Sequence, residues 1–225
     1  MKKILFGALL AVATGSLSSC EENSKNPAPE FTSVPLIFAK VSSDVEKSYF
    51  NTTRAAASIN NLPNTPDVTP ADPRKGQRPV FEFTFDVPDQ RDVRIQAVEV
   101  YKSFQRDIRI GPRVLVGSYD SFPATVSLNS QEALTGLQQL FFSGPSATLP
   151  TLRNLLGATP NARNEVITGD VIVFTFEYVL EDGSRIILTP LSDVRLAGNA
   201  TPAKVISGTQ INPPYALYAR FFVLP

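Results

Sequence analysis

Residues 170–189 constrain the fold more than any other stretch of the chain. In extended backbone, Ile172, Phe174, Phe176, Tyr178 and Leu180 fall on one side, and Val171, Val173, Thr175, Glu177 and Val179 on the other. Asp182-Gly183 follows, a dipeptide that accepts positive φ in a two-residue type I′ turn. The stretch therefore reads as a β-hairpin, with Tyr178 opposite Ile187 and Phe176 opposite Thr189. Such aromatic and β-branched pairs stabilise a sheet by roughly 0.2–1 kcal/mol each. A hairpin of this kind needs further antiparallel neighbours, and the chain supplies them.

In residues 80–87, Phe81, Phe83, Phe85 and Val87 share one face while Glu82, Thr84 and Asp86 share the other. A polar second face describes a half-buried antiparallel strand. In residues 92–104 the apolar parity moves from odd (Val93, Ile95) to even (Val98, Val100), which predicts a β-bulge near Gln96-Ala97. Further strands are predicted over 35–41, over 107–119 with a break at Gly111-Pro112 and its buried part at 114–116, over 122–128 and over 216–224. Between the last of these and the hairpin lies a polar connection.

The period changes in residues 129–142, where Ala133, Leu134, Leu137, Leu140 and Phe141 form one helical stripe. Asn129 and Glu132 have the spacing of a capping box. Gly136 weakens this helix by about 1 kcal/mol relative to alanine. A second short helix is expected over 151–156, bounded by Pro150 and Gly157. Residues 129–157 thus read as a helical insertion on the edge of a β-sandwich. Nineteen prolines and twelve glycines agree with an all-β chain rich in turns. Residues 42–79 are polar, and Pro63, Pro66, Pro70, Pro73 and Pro79 prevent a regular element in their second half. A long surface excursion follows, either functional or merely flexible.

The N-terminus carries a different message. Lys2 and Lys3 precede an apolar run over 4–12, then small residues, then Leu17-Ser18-Ser19-Cys20. This is the secretory-signal layout, too short for a transmembrane helix. Leu-Ser-Ser-Cys resembles the bacterial lipobox, whose cysteine sulfur takes a diacylglycerol before the peptide is cut just ahead of it. The resemblance implies a signal peptide over 1–19, lipidation at Cys20 with palmitate among the acyl chains, and a lipidated flexible tether over 20–30. Each buried methylene of such chains adds about 0.8 kcal/mol of anchoring. The alternative is a plain signal peptide with a coincidental cysteine, which leaves one unpaired thiol in an oxidising compartment. Glu21-Glu22 resembles the acidic signal that sends Bacteroidota lipoproteins to the outer face of the outer membrane, and is equally ordinary tether composition. The expected location is the outer membrane, lipid-anchored, at the cell surface or on the periplasmic face.

Several chemistries are disfavoured. The chain has no histidine, no tryptophan and one cysteine. The commonest general base and metal ligand is therefore missing. Formal net charge is zero, and loss of Lys2 and Lys3 with the signal makes it slightly acidic, so nucleic acid is not an expected partner. No Gly-rich phosphate loop opens a helix. No cofactor is expected, and the chain does not read as an enzyme. A carboxylate pair can hydrolyse glycosides, but no pair stands out. Asp86, Asp89 and Asp92 are clustered carboxylates suited to calcium, or else a solvated turn. Tyr101, Phe104, Tyr119 and Phe122 either stack on sugars or pack the core. The charged stretch 102–109 reads as a solvated strand end and loop.

The pieces VEVYKSF (98–104), SYDSFPATVSLN (118–129), the leucine-bearing helix and GDVIVFTFEYVLEDGSRI (169–186) resemble uncharacterised Bacteroidota lipoproteins encoded near starch-utilisation-type uptake systems. The resemblance implies an antiparallel, immunoglobulin-like β-sandwich over residues 31–225 with a short helical insertion. It implies no ligand-binding residues. The functional expectation is a non-catalytic surface binding or accessory protein of a glycan or peptide uptake system, with outer-membrane transporter subunits or glycan as partners. A structural or adhesion lipoprotein with a protein partner is the alternative.

Overall fold

The computed structural model describes residues 33–51, 79–90, 92–144, 147–155, 166–207 and 215–222. Cys20, the tether and most of the proline-rich excursion lie outside them. The first strands are β1 (Phe38–Val41), β2 (Phe50–Asn51), β3 (Val80–Asp86), β4 (Ile95–Arg106), β5 (Arg109–Ile110), β6 (Val114–Tyr119) and β7 (Ala124–Asn129). A short helix α1 (Ser130–Leu134) follows, then β8 (Gln138–Phe141) and β9 (Thr151–Asn154). The chain continues with β10 (Val171–Leu180), β11 (Arg185–Ile187), β12 (Leu191–Val194), β13 (Ala203–Ile206) and β14 (Ala216–Phe222).

This is the antiparallel all-β sandwich expected. A three-stranded sheet, in the order β1-β3-β7, faces a larger sheet in the order β2-β14-β10-β4-β5, to which β11 and β6 add beside β10 and β4. Period two makes the core. Phe81, Phe83 and Phe85 of β3 point at Phe174 and Phe176 of β10, all of them at most 1% exposed. Phe81 stacks on Phe174 with ring centroids 5.6 Å apart, and Phe85 meets Phe176 at 5.5 Å. Tyr178 is buried in the same row, and its hydroxyl donates to the Pro35 carbonyl at 3.0 Å. That bond satisfies the one polar atom the row brings inside.

The other face of β10 is covered too. Val171 and Val173 pack with Ile110, Ala216 and Ile206, the last from the β12–β13 ribbon. The β8–β9 ribbon packs Leu140 and Leu152 on that ribbon's Val194, Ala203 and Val205. Gly111 permits one close approach here, since a Cβ on it would lie 1.9 Å from the Gln138 carbonyl oxygen.

Local expectations held in places and failed in others. The predicted bulge is present: Val179 pairs with Ala97 and Leu180 with Ile95, which leaves Gln96 over. Asn129 and Glu132 form the capping box on α1. The helix, however, stops at Leu134, because Gly136 takes a left-handed conformation (φ 76°) and ends it. Residues 138–141 continue as β8, which pairs with Thr151–Asn154, so the second expected helix is a strand. Leu152 pairs with Leu140 across this ribbon, and residues 156 and 157 of that expectation lie outside the described residues.

The hairpin register is also offset by one residue. Glu177, not Tyr178, lies opposite Ile187, and Tyr178 pairs with Ile186. Gly183 alone has positive φ (80°), its N–H donates to the Leu180 carbonyl, and the Leu180 N–H donates to Ser184. That is a three-residue loop with a glycine bulge, in which Asp182 keeps an ordinary φ. Within the connection expected to be polar, β12 and β13 are an added ribbon.

Candidate functional site

A cleft of about 380 Å³ opens where β4, β10 and β14 end together, lined among others by Gln105, Arg106, Asp107, Asp170, Tyr218 and Arg220. Its rigid floor is an ion pair. Arg106 Nε donates to Asp170 Oδ1 at 2.7 Å and Nη2 to Oδ2 at 2.6 Å. Asp170 is 1% exposed, and its Oδ2 also accepts the Ile167 N–H at 2.8 Å. Two parallel charge-assisted bonds and a backbone bond tie the 166–170 loop to the end of β4. The Asp170 carboxylate holds the Arg106 guanidinium above its usual pKa, against the opposing effect of burial.

Above this floor the groups differ in kind. The Gln105 amide nitrogen donates to the Asp107 carbonyl at 2.9 Å, which leaves its amide oxygen as an acceptor. Asp107 turns the chain between β4 and β5 with φ of 54° and is exposed. Tyr218 is half-buried, and burial raises its phenol pKa. Arg220 is exposed, pairs through its backbone with Val171, and its charge acts on the Tyr218 phenol. Ile167, 53% exposed, forms an apolar rim.

A second polar cluster lies on the outer face of the large sheet. Arg185 Nη1 stands 2.5 Å from Glu99 Oε2 and 3.3 Å from Glu177 Oε1, and Arg113 Nη1 stands 2.8 Å from Glu177 Oε2. The Arg113 guanidinium also covers the Tyr101 ring at 4.2 Å. The Arg185 hydrogen bonds hold the Glu99 carboxyl below the usual carboxylate range, with a further contribution from the Tyr101 hydroxyl. A general acid needs the opposite shift. Paired in this way, these glutamates serve the sheet.

The residues singled out from sequence fall as follows. Asp86 is half-buried at the end of β3, while Asp89 and Asp92 are exposed in the loop after it. Among the described residues no group of three or more metal-ligating side chains can hold an ion. Phe104 is fully buried, and Tyr119 and Phe122 pack on Phe85 at 5.4 and 6.0 Å, so these three are core. The stretch 102–109 is not simply solvated, because Lys102 is 6% exposed and Arg106 is paired in the cleft. Lys102 shares parity with Val98, Val100 and Phe104, lies opposite Phe174, and its Nζ donates to the Glu132 carbonyl of α1 at 2.5 Å. Burial lowers its pKa to about 8, partly opposed by the charge of Glu132. The cleft residues were not marked in the sequence. Arg106 and Asp170 are far apart in the chain, and only the β4–β10 pairing brings them together.

No protein-family model, curated protein or solved structure matches the chain. No helix of the described residues is long and apolar enough to cross a membrane.

Proposed function

We propose that this chain is a lipid-anchored, non-catalytic surface binding protein, held through Cys20 at the outer membrane and serving a glycan or peptide uptake system. The observation that carries the binding role is the cleft at the shared end of β4, β10 and β14. It combines a braced floor with an aromatic side chain, an exposed guanidinium and an exposed carboxylate. Leu17 to Cys20 supports the anchor. Tethering such a cleft near a transporter raises the local concentration of whatever it holds.

Two experiments test the reading. Radiolabelled palmitate is expected in the wild-type chain and absent from Cys20→Ala, which leaves the membrane fraction. A Cys20→Ala protein that stays membrane-bound removes the anchor. Pull-down from crosslinked cells is expected to recover transporter subunits, and recovery of none counts against the uptake role.

A specific observation favours the second reading, an adhesion or structural lipoprotein. Val34, Leu36 and Phe38 are 37%, 39% and 57% exposed at alternate positions leading into β1. Among the described strands β1 is an edge, paired only with β3. Exposed apolar side chains on an open edge suit strand addition by a protein partner. Crosslinking through a photoreactive residue at Phe38 that captures a single protein in living cells is the result that prefers this reading.

A further inference from the structure

We infer that the cleft beside Tyr218 and Arg220 binds a neutral saccharide unit, a step that rests on the binding role proposed above and selects between its glycan and peptide forms. The charge of the lining makes the first selection. Its charged residues are Arg106 and Arg220 against Asp107 and Asp170. Two cations and two anions cancel, so a phosphate, a uronic acid or an acidic peptide gains no net attraction from the site as a whole.

The second selection comes from the hydrogen-bonding groups. Arg106 is committed to Asp170 through both carboxylate oxygens, so the pair shapes the floor more than it binds. The exposed Thr168 hydroxyl can both donate and accept, and the other groups left for a ligand are one-sided. Arg220 offers donors only. The Gln105 amide oxygen and the Asp107 carboxylate offer acceptors only. A ligand that satisfies both kinds in one small volume must itself carry donors and acceptors on neighbouring atoms. Vicinal hydroxyl groups do this, because each is both a donor and an acceptor. A lone carboxylate would satisfy Arg220 and stand against Asp107, whereas a zwitterionic peptide would need its ammonium group at Asp107, which the peptide probes below test.

Shape completes the argument. Tyr218, half-buried and packed on the Val171 and Val173 cluster, lines the cleft with part of an aromatic ring, and Ile167 adds an exposed apolar rim, on which the C–H surface of a sugar ring can lie. The volume, about 380 Å³, is near the small end of the range of roughly 300–1,000 Å³ for small-molecule sites. That suits a ring or two, such as the end of a chain, more than a long polymer laid along a groove. No covalent step is involved.

The test is ligand-observed NMR and calorimetry on the detergent-solubilised, full-length lipidated protein. The probes are short neutral gluco-, galacto-, manno- and xylo-oligosaccharides, oligogalacturonate as the anionic counterpart, and a mixed acidic and neutral peptide set. At least one neutral oligosaccharide is expected to bind, and Tyr218→Ala and Arg220→Ala each to weaken it by roughly tenfold. Thr84→Ala, exposed on the opposite sheet, is expected to bind as the wild type does. Thermal melts of each variant separate lost binding from lost folding, and Arg220→Lys, a surface change, provides a second variant at the same position. Binding of no neutral saccharide, preference for oligogalacturonate or a peptide, or unchanged binding in Tyr218→Ala and Arg220→Ala each overturns the inference. Palmitate labelling and fractionation of the same preparations report on the anchor independently of any sugar.

Discussion

Replacing Lys102 by methionine should change how stability depends on pH in the alkaline range. Lys102 is 6% exposed, faces the core beneath α1, and keeps one hydrogen bond, to the Glu132 carbonyl. Burial brings its pKa from 10.5 to about 8. That gap corresponds to about 3 kcal/mol of preference for the neutral amine in the folded chain, as an upper bound. The sign follows from proton counts. Above about pH 8 the folded chain releases a proton that the unfolded chain keeps until about 10.5. The unfolded state then binds more protons, so stability rises with pH in this window and is flat below it. Methionine keeps the apolar stem, loses the hydrogen bond at a cost of about 1 kcal/mol, and abolishes the titration. Urea unfolding of both proteins between pH 7 and 10 measures the difference directly, and tyrosine ionisation, common to both, cancels. Lys102→Met is expected to match or exceed wild-type stability at pH 7 and to fall behind as pH rises. A difference between the two that stays constant from pH 7 to 10 refutes the reasoning.

Other perturbations have equally definite outcomes. Asp170→Ala leaves the Arg106 guanidinium without its carboxylate and the Ile167 N–H without an acceptor, and should cost about 3 kcal/mol in urea melts. A loss under about 1 kcal/mol would show that the brace is dispensable. Gly111→Ala drives a Cβ into the Gln138 carbonyl and should cost at least about 2 kcal/mol, since the obstacle is backbone and cannot rotate away. Wild-type thermal stability in that variant would contradict the close approach. Glu99 has its folded pKa depressed by Arg185, so its contribution is present above its ordinary value of 4.5 and is lost as pH falls through the folded value. Arg185→Ala should therefore flatten the acid limb of the stability profile, and an unchanged limb would assign acid sensitivity elsewhere.

The sandwich is legible in the sequence wherever one property repeats with period two. Phe81, Phe83 and Phe85 declare β3, and the parity shift at Gln96-Ala97 declares the bulge, because burial on one face allows only one register. Short elements are another matter. Leu137 and Leu140 satisfy a helical stripe as readily as a turn followed by a strand, and the left-handed conformation of Gly136 decides between them. The hairpin turn is ambiguous for a similar reason, since Asp-Gly serves both a two-residue loop and a three-residue loop with a bulge. Strands β12 and β13, of 4 residues each, are too short for a period to announce itself, and they pack on β8 and β10. The cleft is the least legible feature. Gln105, Asp170 and Arg220 come from three separate strand ends and become neighbours only through pairing across the sheet. Lys102 alone left a local signal, its even parity among buried residues, which its charge concealed.

The place of β14 has a consequence for how the molecule comes into being. It is the last of the described strands in the chain, yet it lies inside the large sheet, between β10 and β2. Phe221 stacks on Phe50 with centroids 4.8 Å apart, closing the longest sequence separation among the core ring contacts. A chain delivered from its N-terminus, by a ribosome or through a membrane pore, therefore cannot finish its larger sheet until β14 has emerged. Until then β10 and β2 both expose a row of unpaired backbone groups, and their closure is slow in the way of all long-range pairing. The domain is built so that β14 must be delivered before the larger sheet can lock.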